Sequence, residues 1–485
     1  MPLLTKRLFL QALDCDRRGW LLRSPEGSAA PLGFEEQFRF AQGNAVGDLA
    51  RTLLGPGLDL RGAATPAWVE QGRTALADTR HEVLFEVPVA TSHAMARPDM
   101  LQRLGTAWRL VEVKSAKARE KIKPEYIDDV GYTIAVALGA GLSVAQVELA
   151  LVNPDWRVDN DAPALVLQDV TAEALARGAE FAGLLEAVWR AVFVVAEPGP
   201  VLKSACRKCE FLRVACFQQG PPDPVFELPR ITEKRVNQWL ADGITRITEL
   251  GSEEPLSATQ ALHRRAVLEG DLVTVPDGLA RLDRVAEPAA YLDFETLSLA
   301  FPPFPGVAPY DTIPIQFSVH RRVASGQLEH YELLLDPAAP DLDHFARCLV
   351  DSLDGAASIV VYSHFEQARL KWLAGHLPHL ADELEGVISR LVDLLPIVTA
   401  SVAHPAFHGS LSIKKVLPVL VPASLLTYHG LVIGNGGDAA GVVGLRALGR
   451  VDDAQWAAMR DDLLHYCAVD TEAMVRLHDG LLALR

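Results

Sequence analysis

Trp108-Arg-Leu-Val-Glu112-Val-Lys114-Ser-Ala116 reads as a strand that carries charge where a core strand should be apolar. Side chains two apart share a face of a strand. Val111 and Val113 therefore point one way, and Glu112 and Lys114 the other. An acid and a base rising together from an apolar strand are costly unless they are paired or used. Upstream, His81-Glu-Val-Leu-Phe-Glu-Val-Pro-Val-Ala90 alternates, and Arg97-Pro-Asp99-Met-Leu101 follows at hairpin distance. Residues 81–116 are expected to form a strand meander that brings Asp99 to Glu112. Asp99 and Glu112 would hold a hard divalent ion, Mg²⁺ or Mn²⁺. Lys114 would stabilise charge growing on a scissile phosphate.

A second acidic strand opens the other half of the chain. In Ala289-Ala-Tyr-Leu-Asp293-Phe-Glu295-Thr-Leu297, Asp293 and Glu295 share a face and Leu292 and Phe294 the opposite one. Two acids on one face call for a cation to relieve their repulsion. Ile313–His320 and Leu328–Leu335 read as the next strands, His344–Leu353 as a helix, and 357–363 as a buried strand running into Phe365-Glu366. Residues 387–395 contain Asp393. Residues 461–477 read as a helix that places Tyr466 and Asp470 on one face at i, i+4, with His465 beside them.

Between these regions stands Cys206-Arg-Lys-Cys209-Glu-Phe-Leu-Arg-Val-Ala-Cys216, with three of the six cysteines in eleven residues. Such spacing points to a metal or iron–sulfur site that needs a fourth ligand. Cys15 lies far from it, in a stretch (8–22) that reads as a short helix; alone it reads as a small buried hydrophobe. Residues 35–54 have helical period. Gly43 and Gly47 sit on one face there, where they would allow close backbone approach, and Asp48 follows as a possible ligand.

The motifs resemble two known families. Pro98-Asp99 with Glu112-Val-Lys114 resembles the PD-(D/E)XK nuclease superfamily in its RecB-like branch. The stretch Lys117–Leu138 resembles that branch's helix, which commonly carries a Gln; Thr133 holds the nearest matching position. RecB-like nucleases of the helicase-associated and CRISPR-adaptation types hold a [4Fe–4S] cluster with one cysteine before the core and three after it. The resemblance makes Cys15, Cys206, Cys209 and Cys216 its ligands. Zn²⁺ suits four thiolates as well, and spacing leaves both open. The second half resembles the ribonuclease H-like DEDD exonucleases. By that resemblance Asp293, Glu295 and Asp470 bind two divalent ions. Glu366 takes the place of the usual third Asp, with Asp393 in reserve. Tyr466 is the favoured general base and His465 the alternative.

The whole is read as an α/β (α+β) chain. A restriction-endonuclease-like PD-(D/E)XK domain over 1–220 leads to a helical connector over 221–285, similar to helix-hairpin-helix units with Gly243 at the turn, and then to a ribonuclease H-like domain over 286–485. The chain of 485 residues is 49% hydrophobic and carries a net charge of −16, which excludes a passive, charge-driven nucleic-acid coat. A local basic run remains: seven basic residues against two acids between Arg103 and Lys123. No stretch reaches the length of a membrane helix and none reads as a secretory leader, so a cytoplasmic location is expected. These readings converge on a metal-dependent nuclease acting on DNA. The rivals are a nucleic-acid-binding scaffold with one or both centres inactive, and an RNA-directed exonuclease.

Overall fold

The computed structural model describes residues 2–23, 32–62, 67–218, 223–323, 326–422 and 433–485. The chain forms two compact units of mixed α/β architecture. The first comprises Met1–Leu32, Glu36–Pro200 and Ser298–Asp311. The second comprises Gly33–Glu35, Val201–Leu297 and Thr312–Arg485. The cysteine segment thus belongs with the second unit, rather than closing the first at residue 220, and Ser298–Asp311 belongs with the first. No helix among the described residues is long and apolar enough to cross a membrane.

The first unit is built on a mixed sheet. Its strands are β1 (Leu58–Asp59), β2 (Val83–Phe85), β5 (Met100–Leu104), β6 (Ala107–Lys117), β7 (Val144–Val152) and β8 (Leu165–Asp169), in that spatial order; β3 (Val89–Ala90) and β4 (Met95–Ala96) form a separate hairpin. The expected meander is present: β2, β5 and β6 pair antiparallel. Strand β7 then joins β6 in parallel through the helix Pro124–Gly139, whose start is favoured by a proline that has no N–H to waste. Period-2 alternation separates two cores. Trp108 and Leu110 pack with Phe9, Tyr132 and Phe181 from the helices of one face. Val111, with Val83, Phe85 and Met100, packs against Val46 and Ala50 of the helix Phe34–Arg51 on the other. Glu112 and Lys114 continue the first row, at the rim of its helix layer.

The expected helix over 8–22 is two helices, Lys6–Asp14 and Asp16–Leu22. Cys15 lies extended between them, ending one and starting the other. The second helix folds back on the first, and a side chain on Gly19 would strike Ala12.

The second unit carries a five-stranded sheet in the order β12 (Leu328–Leu334), β11 (Ile313–Arg322), β10 (Ala289–Leu297), β13 (Ser358–Val361), β14 (Leu391–Asp393); small β9 (Val273–Thr274) and β15 (Val402–Ala403) pair apart from it. Strands β10, β11 and β12 are an antiparallel meander, and β13 and β14 add in parallel. The helix Leu342–Ser352, capped by Asp341, covers one face through Phe345 against Phe294 and Phe317. The other face meets the helix Asp453–Leu482, started by a reciprocal cap between Asp452 and Gln455. The connector holds helices Glu233–Ala241 and Ala258–Glu269 with Gly243 at positive φ between them, around a core of Val225, Phe226, Val236 and Trp239.

Candidate functional site

The first acidic centre forms at the rim of the first unit's helix-packed face. Asp99 stands at the entry to β5, and its Oδ2 accepts from the Val113 N–H at 2.7 Å. Glu112 is 2% exposed. Its Oε1 accepts from Lys6 Nζ at 2.6 Å and from Lys114 Nζ at 3.2 Å. Both lysines also donate to Asp129 of the helix Pro124–Gly139, Lys6 at 3.1 Å. Burial pulls both lysines toward neutrality, but the attraction of Glu112 and Asp129 outweighs it, and both stay above the ordinary lysine value. Asp129 is held low: its own burial opposes this, and Lys114 and Lys6 prevail. Asp99 is different. Burial, then repulsion from Glu112, pushes it up to about 7.

Sequence reading gathered Asp99, Glu112 and Lys114 but missed Lys6 and Asp129. The helix residue that reaches the centre is Asp129, not Thr133, whose buried hydroxyl turns back to the Asp129 carbonyl at 3.4 Å. The available signal was register: Asp129 lies one turn before Thr133. Gly43 and Gly47 do not admit a close neighbour, since a Cβ on either would meet open space. They line a cleft of about 400 Å³ with Asp48, Arg51, Arg97 and Asp99. Asp48 itself pairs with Arg51 and Arg61.

The second centre lies on the opposite pattern of elements. Asp293 and Glu295 project from β10 and Asp470 from the helix Asp453–Leu482, and their carboxylate oxygens all lie within 4.8 Å of one another. Each keeps part of its surface open while densely surrounded by protein. Burial, then Asp470, Glu366 and Glu295, drive Asp293 well above the carboxylate range; a backbone hydrogen bond at Phe294 opposes them. Burial and Asp470 push Glu295 up to about 8, against the pull of Lys414. Glu366, in the first turn of the helix Phe365–His376, is buried and rises to about 7 by burial, despite hydrogen bonds from its own backbone and Ser363. Its Oε2 is buried without a hydrogen-bond partner among the described residues. Asp393 ends β14 and caps the helix Leu394–Ser401 through the Leu395 N–H at 2.8 Å. It reaches Glu366 electrostatically but is tied to that structural task.

The candidate bases separate clearly. Tyr466 is buried, and its Oη accepts from Lys414 Nζ at 2.7 Å, with the ammonium 4.6 Å from the ring centroid. His465 is exposed. Cys467 is fully buried with its Sγ 3.8 Å from Asp293 Oδ2. Lys414 has no place in the site read from the sequence, because its partner lies 52 positions away. The register of the long helix is fixed by a buried polar seam on β11. Gln316 donates to the Leu463 carbonyl at 2.8 Å, and Ser318 and His320 each lie 2.8 Å from the Thr471 hydroxyl. Thr471 adjoins Asp470, so the seam aims that carboxylate at β10.

Three clustered carboxylates with excess negative charge match what a hard divalent ion requires, and the orphaned oxygen of Glu366, whose charge reaches Asp293, adds to the fit. The first centre fits less well, because two lysines already occupy Glu112 Oε1; its Oε2 is buried without a partner among the described residues. Cys206 lies in a 3₁₀ turn (Ser204–Lys208), Cys209 caps the end of that turn and Cys216 closes a π-helical turn (Leu212–Cys216); all three are partly exposed. Their sulfurs do not come together as a group of three within 4.8 Å. Cys206 packs against the connector core and accepts from the Lys203 N–H at 3.4 Å. Cys15 belongs to the first unit and is also a free, partly exposed thiol.

Comparison with known proteins meets the second centre. Residues 290–412 match the family model described as Domain of unknown function (DUF2779). That span includes Asp293, Glu295, Glu366 and Asp393, and it stops before Lys414, Tyr466 and Asp470. The chain is similar to a Mycoplasma pneumoniae protein described as an uncharacterized protein MG366 homolog, 27% identical over 213 residues that make up 40% of this chain and 32% of that one. It is also similar to the uncharacterized protein UU173 of Ureaplasma parvum, 25% identical over 206 residues, 38% of this chain and 30% of that one. The chain thus spans about a third of the length of the curated relatives it matches.

Proposed function

We propose that the chain is a cytoplasmic, metal-dependent nuclease that hydrolyses phosphodiester bonds of DNA, and that its working centre is Asp293, Glu295, Glu366 and Asp470. One observation carries this reading: three carboxylates held within 4.8 Å, two of which, Asp293 and Glu295, are raised by burial and then by the charge of their neighbours. Such repulsion is relieved either by retained protons or by a cation, and an all-oxygen donor set suits a hard divalent ion. Mg²⁺ or Mn²⁺ held there would clamp and polarise the oxygens of a phosphodiester. Tyr466, hydrogen-bonded by Lys414, would supply a phenol to orient the attacking water or the scissile phosphate. The arrangement of β10 to β14 supports the ribonuclease H-like reading, and the β5–β6 hairpin with Asp99, Glu112 and Lys114 supports the RecB-like one.

The test is Mg²⁺- or Mn²⁺-dependent degradation of end-labelled single-stranded DNA by the full chain. Asp293→Asn should lower it by at least about 10²-fold, as expected for loss of charge stabilisation at the reacting phosphate. Full activity in that variant rejects the second centre, and Asp99→Ala then asks whether the first one works. The neutralised lattice around Glu112 favours a second reading for the first unit alone: a structural ion-pair network in which catalysis is absent. For that reading, Asp99→Ala leaves turnover unchanged.

The thiols of Cys206, Cys209 and Cys216 are proposed to contribute to a [4Fe–4S] cluster, or to a Zn²⁺ site instead. Anaerobically purified protein should show a broad visible band for the cluster and none for zinc. Cys209→Ser should remove the metal in either case, and metal content equal to wild type would end the idea.

A further inference from the structure

The second unit has a cleft that the acidic centre does not use. It measures about 440 Å³ and is lined by Arg207, Arg230, Tyr362, Leu395, Leu411 and Ile413, among others. Three features give it a direction. Val360 of β13 pairs in register with Tyr291 of β10. Asp293 lies two residues after Tyr291 on β10, and Tyr362 two residues after Val360, just past the end of β13. Ile413 is followed by Lys414, which donates to Tyr466 at 2.7 Å and acts on Glu295. The elements that line the cleft are therefore neighbours of those that carry the acids. Its wall is fixed rather than soft: the Tyr362 hydroxyl donates to the Leu411 carbonyl at 2.7 Å. Gly409, at φ +71°, lets the loop lie directly on the Glu227 carbonyl, where any Cβ would clash.

The charges at its mouth are unusual for this chain. Nearby arginines are ion-paired: Arg213 with Glu227, Arg235 with Glu254 and Arg246 with Asp223. Arg207 and Arg230 are exposed and have no carboxylate partner among the described residues. In a chain of net charge −16, two uncompensated guanidiniums over an apolar, aromatic-walled cleft match a polyanion with flat apolar groups.

We propose that this cleft receives the single-stranded polynucleotide segment leading to the Asp293–Glu295–Asp470 centre, with Arg207 and Arg230 on its phosphates and Tyr362, Leu411 and Ile413 against a base. The proposal rests on the nuclease reading for its direction but is tested without turnover. Fluorescein-labelled dT20 is titrated with the full chain in Ca²⁺ across a range of salt, and anisotropy is followed. Removing two phosphate contacts in the Arg207→Ala/Arg230→Ala variant should weaken binding about tenfold and flatten the log–log salt slope by about 1.4, at roughly 0.7 per contact for a single strand. Arg207→Lys/Arg230→Lys should restore most of the affinity and the slope, and thermal melting should show all three proteins equally folded. Binding within twofold of wild type with an unchanged slope overturns the cleft. If the arginines matter for binding while Mg²⁺ or Mn²⁺ gives no hydrolysis, the cleft stands and the nuclease reading fails. If hydrolysis proceeds with dT20 affinity indifferent to the arginines, the reverse holds.

Discussion

The first unit holds three acids, Asp99, Glu112 and Asp129, against two lysines, Lys6 and Lys114, that reach two of them at hydrogen-bonding distance. The second unit holds four acids, Asp293, Glu295, Glu366 and Asp470, and the pull of Lys414 on Glu295 does not overcome burial and Asp470. In the first, attraction outweighs burial, so Asp129 stays charged and low. In the second, repulsion adds to burial, so protons are retained at neutral pH. Asp129 of the first unit and Glu295 of the second thus end in opposite states according to what faces them, while Asp99, facing Glu112, rises as the acids of the second unit do. A self-neutralised lattice tends toward structure, whereas an over-charged one tends toward binding a cation.

The largest effect that separates the two centres should come from Lys114→Met. It leaves a buried, under-compensated Glu112, a change that costs about 3–5 kcal/mol in a buried pair. Hydrogen exchange over β6 and the helix Pro124–Gly139 should accelerate together. Unchanged protection there would show that the lattice is not structural.

The opposite sign is expected at the second centre. Glu295→Gln removes one of the repelling charges, so in EDTA at pH 8 it should raise the melting temperature, by about 2–4 °C for a gain on the order of 1 kcal/mol in a unit of this size. Destabilisation in EDTA would mean that Glu295 is satisfied without a cation and would erase the contrast.

The smallest effect concerns pH. Glu295 at about 8 and Glu366 at about 7 hold protons that the unfolded chain has lost above the ordinary carboxylate value of ~4. Native proton uptake exceeds unfolded uptake between those limits, so without a divalent ion this contribution to stability falls as pH rises from ~4 to about 8. Mn²⁺ must displace those protons. Its stabilising thermal shift should therefore grow by a few degrees between pH 6 and pH 8.5. A shift of equal size at both would place the ion elsewhere.

Much of each centre was legible because its signal is local. Glu112-Val-Lys114 and Asp293-Phe-Glu295 declare their faces through a period of two, and Tyr466 and Asp470 through a spacing of four. Lys6 escaped because nothing near it in sequence shows that Thr5 caps a helix aimed at β6. Asp129 escaped because Thr133 matched a motif while the helix's rotation selected the residue one turn earlier. The single helix expected over 8–22 split because Cys15 is extended, and the fold-back of Asp16–Leu22 depends on a long-range fit of Gly19 on Ala12 that no local pattern records.

The sequence by itself determined the mixed α/β class, the strands that carry acids, and which side of each strand they face. These follow from alternation, and a one-residue slip would turn every core side chain to solvent. Only the tertiary structure decided how much counter-charge each acid meets. That depends on side chains brought from 106 positions away at Glu112 and 52 at Tyr466. Electrostatic energy follows distance in space and local burial, and neither can be read along the chain.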